Sequence, residues 1–600
     1  MRPSLRQVLF RSVGLDLNFA GGVFSLTNTR TDTPAAIPGW SFSRTDTNGI
    51  ATALDLAGNV IQFPSRTNLL LQSQTFGTTW TQTNVTIGSD VIAAPDGSTT
   101  ADSLIENAAA AVAHRVTQAV TTTAAATTVS CHLKAGSRSW AYIRITNSVP
   151  ASCFAYINLA TGALGTVSGT GATASVQTLA DGWYRLSLTV ATAVAGSNTI
   201  VIAGSTGDNA QDYDGTNGLT AIYLWGAQLE LGSTATAYIP TTTAAVTVVL
   251  PRITDRGILV EEARTNSLVQ SNTFSDAAWT VTGATVALTG ATTGPDGGST
   301  AWKLAETAVT SGHLIAQSVT FTSAAWTSSI YVKAAERGFV LLSLQGTAFV
   351  ASINLTTGAV TVANGSPTVT AIAGSNGWWR VTCSGTASAG AATINVYAST
   401  DGVFANRSYA GTAGSGIYIA FAQAELGAFA TSPIITTGAA GTRGADDAFV
   451  SGLAINSATV TLAAEAEFLL QTTNADTALG TVTDTASAGQ SLLAAWRATG
   501  GDAFFQTRTA GLGTAVSYGS TAKSGARILR MATALNSTAA TGAIDGTLIT
   551  PATIATPPGL TRLNIGTGFS VARPANAYIR RIRILPTAVT DAQLQALTAS

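Results

Sequence analysis

The chain is poor in cysteine and in charge. Its 600 residues hold three cysteines, Cys131, Cys153 and Cys383. Three are too few for a disulfide scaffold. A Cys131–Cys153 bridge is left open by the sequence, but assembly in a reducing cytoplasm, with rigidity from sheet packing, is the expectation. Charged residues make up 10% of the chain, and the net charge is −1. There is no broad basic field, so no nucleic-acid partner is expected. Acidic tails and charge blocks are missing too. Uncharged stretches such as 186–207 are broken by Ser, Thr, Gly and Asn, so no membrane insertion is expected. Near the start, Arg11 follows VLF too soon to leave the apolar core of a secretory signal.

What is present is repetition. The length alone implies about three or four domains. RTNLLLQSQTFGTTW (66–80) returns as RTNSLVQSNTFSDAAW (264–279), and PDGSTTADSLIE (95–106) returns as PDGGSTAWKLAE (295–306). His114 and Gln118 recur as His313 and Gln317. VSCHLKAGSR (129–138), INLATGALGTV (157–167), DGWYRLSLTV (181–190) and AQLELGSTATAYIPTT (227–242) all have later counterparts in the same order. A whole module has been duplicated. Within each copy, short alternating runs are separated by Gly, Asp and Pro turns. Pro-Asp-Gly presets a reverse turn, and the Thr-Gly pairs at 161–162 and 357–358 suit hairpins. This pattern predicts a β-sandwich of jelly-roll type for each copy.

The repeated segment at 181–190 shows how such a strand is built. With alternating side chains, Tyr184, Leu186, Leu188 and Val190 share the core face, and Trp183, Arg185, Ser187 and Thr189 share the other. Trp183 and its counterpart Trp378 have two readings. The preferred one is packing, with the Arg185 guanidinium on the indole. The other is a platform for the apolar face of a sugar. The last part, from about residue 439, has no duplicate. It continues the β pattern through AYIRRIRILP (577–586), and Thr590-Asp591-Ala592-Gln593 predicts a capped helix from Asp591.

The ordered set RTNLLLQSQTF, PDGSTTADSL, HLKAG, NLATGALG, DGWYR and WGAQLELGSTATAYIPT resembles the repeat of head-spike and tail-fibre proteins of tailed phages and gene transfer agents. It covers most of residues 60–437. That repeat is similar to jelly-roll carbohydrate-binding modules, and residues 440–600 resemble concanavalin A-like, laminin-G-like sandwiches. The resemblance implies an all-β chain: a docking or lead-in segment (1–60), jelly-roll modules at 61–242 and 243–438, and a concanavalin A-like sandwich at 439–600. It also implies a virion-surface protein, head spike or fibre, that binds host polysaccharide. Tail fibre and depolymerising tailspike are the alternatives. A secreted bacterial glycan-binding protein is a further class, disfavoured by the lack of a signal. The expected partners are other virion proteins at the N-terminal segment, host surface polysaccharide and copies of the chain itself. The second copy departs from the first by losing Trp225 and Tyr238, so the two modules would not bind alike if either aromatic touched ligand.

Little reaction chemistry is visible. Glu465 and Glu467 share a strand face but lack the further acids of a glucanase motif. Cys131-His132 aligns with Ile330-Tyr331, which argues for a core position over zinc. His114 and His313 read as structural imidazoles, and the Gln228/Glu230 and Gln423/Glu425 pairs as hydrogen-bonding groups of the sheet. The loop GDNAQDYDGTNG (207–218) is matched in the second copy by DGVFANRSYAGTAGSG, in which only Asp401 is acidic. In the first copy Asp208, Asp212 and Asp214 would gather calcium, or Tyr213 would stack on a sugar with the Asp residues on hydroxyls; an ordinary solvated turn competes with both. Arg573, Arg580, Arg581 and Arg583 would touch anionic polysaccharide or protect an edge strand. No cofactor, metal or catalytic residue is expected. Asp212, Tyr213, Asp214, Trp183 and Trp378 are the candidate carbohydrate-binding residues, and the C-terminal sandwich is expected to be distal and glycan-binding.

Overall fold

The computed structural model describes residues 15–18, 24–26, 29–31, 40–46, 50–146, 152–193, 195–249, 251–453, 455–456, 458–468, 477–483, 491–497, 502–509, 512–517, 527–537, 539–553, 560–567 and 575–599. The described residues are nearly all β, with antiparallel pairing in every ladder described and one terminal α-helix. It divides into two units, Ser65–Val248, and Met1–Pro64 together with Val249–Ser600. No described helix is long and apolar enough to cross a membrane.

Ser65–Val248 is a sandwich of two six-stranded sheets. One runs Ala172–Thr178, Trp183–Val190, Thr127–Ala135, Thr220–Leu231, Ala101–Glu106, Val85–Ile92. The other runs Leu164–Ser168, Cys153–Asn158, Trp140–Thr146, Gly196–Ser205, Arg115–Thr122, Thr81–Thr83. Leu186, Leu188 and Val190 meet Ile143, Ile145, Ile157, Ile200 and Ile202 between them. The turn before the repeated strand explains its Asp-Gly. Asp181 and Gly182 both take positive φ, 56° and 76°, as a tight hairpin turn demands. Asn376 and Gly377 repeat it at 54° and 77°.

The second copy has the same two sheet orders, with Ala324–Ala334, Trp378–Ala387 and Gly416–Leu426 central in one and Gly390–Ser399 and Phe339–Leu344 central in the other. The C-terminal sandwich has an eight-stranded and a seven-stranded sheet around one core that includes Leu17, Val260, Val450, Leu462, Leu529 and Ile582. The predicted helix is Asp591–Thr598, with Gln593 Oε1 accepting from the Thr590 N–H at 2.9 Å. It seats Leu594 on Ala463, Ala532, Ala534 and Ala543.

Three expectations need correction. Two described strands of the first sixty residues do not belong to a segment apart. Leu15–Asn18 pairs with Ala577–Leu585, and Trp40–Ser43 pairs with Asp447–Val450, so both are strands of the C-terminal sandwich. Residues 1–14, the core of the expected docking end, lie outside the described residues. Second, Gly257–Val260, between the two modules in sequence, also joins that sandwich. A strand that closes a sheet has no repeat partner to reveal it. Third, Ala577–Leu585 is no edge strand, because Thr459–Phe468 pairs on one side and Leu15–Asn18 with Gly257–Val260 on the other. Arg573 lies outside the described residues. All three cysteines are free and buried, so no Cys131–Cys153 bridge forms.

A buried ion-pair network ties these pieces together. Asp446 accepts from Arg44 Nη1 at 3.1 Å and from Arg252 Nη2. Arg252 Nη1 also reaches Glu261 at 2.5 Å and the Thr52 carbonyl at 3.0 Å. Arg443 Nη1 completes the set on Glu261 at 3.1 Å. Burial alone would raise the Glu261 carboxyl, but Arg443, Arg252 and Ser432 hold it well below the usual carboxylate range. Removing one member strands its buried partners. Asp446→Ala is therefore expected to cost about 3–5 kcal/mol. Calorimetry should show a lowered transition for the unit containing Val249–Ser600 and an unshifted one for Ser65–Val248. An unchanged scan would show that the network does not hold that unit.

Candidate functional site

The repeated strand Trp183–Val190 buries both of its faces. Trp183 is 2% exposed and Trp378 is 1% exposed. Trp183 packs with Ala94, Ala101 and Trp225, and its indole N–H donates to the Ala93 carbonyl at 3.2 Å. The Trp378 indole donates to the Thr293 carbonyl at 3.0 Å. Neither ring is open to a sugar, so both leave the list of binding candidates. Arg185 does not stack on Trp183 as expected. It donates to Ser130 Oγ at 2.8 Å and to the Thr236 carbonyl at 2.6 Å.

The loss of Trp225 and Tyr238 in the second copy is also a packing matter. In the first module Trp225 and Tyr238 lie 4.6 Å apart, with His132 at 5.0 and 5.9 Å, and cover the sheet. Their counterparts are Ala420 and Pro433. The room they leave is filled by Ala53, Leu54 and Val60 from the hairpin Ile50–Leu54/Val60–Pro64, with Leu259 and Tyr578. The outer face of this sheet is thus covered in both modules, by different means.

The 207–218 loop divides into structural and free parts. Tyr213 is 7% exposed; its hydroxyl donates to Glu106 Oε1 at 2.7 Å, and its ring lies 4.6 Å from His114 and 5.0 Å from the Arg138 guanidinium. Arg138 bonds both Glu106 oxygens, at 2.9 and 2.8 Å. The second module repeats the clamp with Tyr409, Glu306, Arg337 and His313. Tyr213 is therefore a core clamp present in both copies and not a sugar platform. The His313 ring nitrogens face the carbonyls of Gly283 and Tyr409, at 2.5 and 3.1 Å, whereas the buried His114 ring makes no hydrogen bond of ordinary geometry. Asp214 Oδ1 accepts from the Ala111 N–H at 2.8 Å and so fastens a turn. Asp212 and Asp214 are both exposed, and of the two Asp214 is held by the Ala111 N–H, which leaves Asp212 beside a polar surface.

That surface is the outer face of the other sheet. Along Trp140–Thr146, Ala141, Ile143 and Ile145 enter the core, so Trp140, Tyr142 and Arg144 point away from it. Strand register then sets two rows. One runs Tyr156, Tyr142, Ala203, Arg115; the next runs Phe154, Arg144, Val201, Thr117. The Tyr142 and Tyr156 rings lie 5.0 Å apart, and Phe154 meets Tyr156 edge-on at 5.7 Å. The loop crosses one end of this face. Asp208 accepts from Thr166 N and Oγ1 at 2.7 and 2.9 Å, and Gln211 Oε1 accepts from Arg144 Nη1 at 2.9 Å. Trp140 sits so close to Gly165 that a Cβ there would come within 2.7 Å of the indole.

The polar groups under and beside the loop are incompletely used. The hydroxyls of Tyr142 and Tyr156 and the Nε atoms of Arg115 and Arg144 are buried and make no hydrogen bond of ordinary geometry. Arg115 lies beside the Tyr142 hydroxyl and Gln211 beside that of Tyr156. Burial raises both phenols, so each keeps its proton and can donate. Buried donors of this kind are costly unless something accepts from them. Phe154, Arg144, Thr117 and Gln211 remain half-exposed around them.

The second module has no such face. Leu341, Ser343, Val350 and Ser352 replace Tyr142, Arg144, Phe154 and Tyr156, and Leu314 replaces Arg115. Leu341, Val350 and Tyr397 cluster with Phe404, and Ser343 Oγ accepts from Asn395 Nδ2 at 3.0 Å. The remaining sequence candidates are engaged. Glu465 pairs with Arg580 at 3.0 Å, and Glu467 with Arg580 at 3.2 Å and with Arg256. Gln228 Nε2 donates to Glu230 Oε1 at 2.7 Å, and Gln423 repeats the bond to Glu425 at 2.6 Å. Burial pushes the Cys131 thiol up to about 12, while burial and then Arg185 push His132 down to about 3. Among the described residues no three His, Cys, Asp or Glu gather as a metal site.

No protein-family model matches the chain, and no curated protein matches it. Solved structures match in part. The CBM40 of the Ruminococcus gnavus IT-sialidase aligns at 16% identity over 24% of this chain and 83% of its own, with a TM-score of 0.21. The NanB sialidase of Streptococcus pneumoniae aligns at 15% identity over 24% of this chain and 25% of its own, also at 0.21. The binding domain of botulinum neurotoxin DC aligns at 9% identity over 26% of this chain and 40% of its own, again at 0.21. Overlap of this size assigns neither a ligand nor an activity.

Two measurements check these assignments. Trp183→Ala should cost about 3–5 kcal/mol, as deletion of a buried indole does, read as a lowered urea midpoint; an unchanged midpoint would mean the ring is not core. Glu106 is raised by burial but held below its ordinary value by Arg138, the Thr216 N–H and Tyr213. Its stabilisation is then fully present above the unfolded carboxyl value and lost as pH falls through the lower folded one. Glu106→Gln should flatten the acid limb of the first module's pH–stability profile, and an unaltered limb would contradict the clamp.

Proposed function

We propose that the chain is a non-catalytic, glycan-binding protein of a phage-like particle, and that its first module holds the sugar-binding face. The observation that carries this reading is the patch of incompletely used donors, the Tyr142 and Tyr156 hydroxyls and the Arg115 and Arg144 Nε atoms, flanked by Phe154 and Trp140. Aromatic surface beside a few convergent donors suits a sugar, whose C–H faces stack and whose hydroxyls accept. The face is shallow, so binding per chain is weak and several copies per particle supply avidity. The particle assignment rests on the ordered motifs of residues 60–437, with head spike or fibre first and tail fibre second. A depolymerising tailspike is disfavoured because Glu465 and Glu467 are held by Arg580, Arg256 and Arg530.

The test is binding of the full chain to host surface polysaccharide by calorimetry. Phe154→Ala and Arg144→Gln should each weaken binding about tenfold or more, the scale of one stacking or charge-assisted contact. Val350→Ala and Ser343→Ala, the matching changes in the second module, should leave affinity unchanged. A reducing-end assay on the same polysaccharide should show no cleavage. Equal effects in both modules, or no effect in either, would contradict the assignment, and antibody labelling of purified particles tests the location.

A further inference from the structure

We infer that the ligand of the first module's face is an acidic sugar, one bearing a carboxylate that Arg115 and Arg144 receive; this rests on the reading of that face as a glycan site. The two arginines differ from most half-buried arginines of the chain. Arg138, Arg256, Arg337, Arg562 and Arg580 each pair with a carboxylate. Among the described residues, Arg115 and Arg144 have no carboxylate within ion-pair distance. Arg144 spends one N–H on the neutral Gln211 amide, and the Nε of each arginine is buried without a hydrogen bond.

The nearest acids do not supply the missing charge. Asp208 commits both oxygens to Thr166 across the sheet. Asp212 is exposed on the loop and forms no ion pair among the described residues. A guanidinium partly withdrawn from water, with no counter-charge, favours an anion that offers paired oxygens. The register gives that anion a place. Arg115 and Tyr142 stand in one row, separated by the strand carrying Ala203. That is about 10 Å of sheet, two strand spacings. The small Ala203 leaves the Arg115 side chain room to lie across toward Tyr142, and Arg144 stands one pleat along the Tyr142 strand. Both guanidiniums and two phenolic donors thus border one patch, with Phe154 at its edge for the pyranose ring.

The second module lacks every part of this patch, with Leu314 and Ser343 in the arginine positions. The charge recognition therefore belongs to one module only.

The test uses the full chain and a panel of uronic-acid-containing bacterial surface polysaccharides, each paired with its carboxyl-reduced form, with one phosphate-bearing neutral polymer added. Wild-type chain should bind at least one acidic member, and its reduced form about tenfold or more weakly. Arg144→Gln and Arg115→Gln should erase that difference between the two forms and flatten the salt dependence of binding, while Arg144→Lys keeps part of it. Circular dichroism and the unfolding midpoint of each variant confirm folding. Equal binding of acidic and reduced forms, or preference for the phosphate polymer, would overturn the carboxylate assignment and leave the glycan face standing. Failure to bind any member would overturn both.

Discussion

A β-strand has two faces, and a sandwich core fills only one of them. The outer side of each antiparallel sheet is then either left to water or covered, and the differences between the two homologous modules lie in how each treats it. The inner faces are nearly interchangeable, with Leu186, Leu188 and Cys131 answering to Val381, Cys383 and Ile330. The outer faces are not. The first module covers one with its own Trp225 and Tyr238, while the second has Ala420 and Pro433 at those positions, adds Phe421 beside them and receives the Ile50–Leu54/Val60–Pro64 hairpin. On the opposite sheet the second module closes its surface with leucine, valine and self-paired serine and asparagine. The first carries tyrosine, phenylalanine and arginine there, with donors left over. A duplicated scaffold can thus keep its core and diverge outside it, and the outside is where binding is expected.

The unit made of Met1–Pro64 and Val249–Ser600 depends on burying charge without leaving it alone. Asp446 and Glu261 collect Arg44, Arg252 and Arg443 from stretches far apart in sequence. Such a network is a poor source of net stability relative to a well-packed apolar core, because desolvation offsets most of the attraction. Its value is in selection. An early strand, an inter-module strand and the chain after the second module can be placed together in only a few ways that leave no buried charge unpaired. That is consistent with how completely those strands merge into one sandwich.

Much of the fold was legible because it was written twice. Repeat matching exposed the modules, alternation at 184–190 identified the core face, and Thr590 to Gln593 marked the helix start. The strands at Leu15–Asn18, Trp40–Ser43 and Gly257–Val260 were hidden because their pairing is long-range and carries no local signal. The candidate site was harder. Trp183, Trp378 and Tyr213 drew attention as aromatics, yet burial uses all three for packing. Tyr142, Arg144 and Tyr156 were passed over inside AYIRIT and FAYIN, which read as ordinary strands. The signal was in the comparison of copies: VLLSL and VASIN hold Leu341, Ser343 and Ser352 where the first copy holds tyrosine and arginine. A position that keeps its face but changes from apolar to polar-aromatic between duplicates is a better pointer to function than an aromatic kept in both.

The account stands on one claim, that the outer face carrying Tyr142, Arg144 and Phe154 is where this chain meets its ligand. A crystal structure of the full chain soaked with an acidic oligosaccharide tests it most directly. The account requires sugar density against Phe154 beside the 207–214 loop, with a charged group on the Arg144 guanidinium and nothing on the Leu341 face of the second module. Sugar seated on the C-terminal sandwich, or equally on both modules, would contradict it.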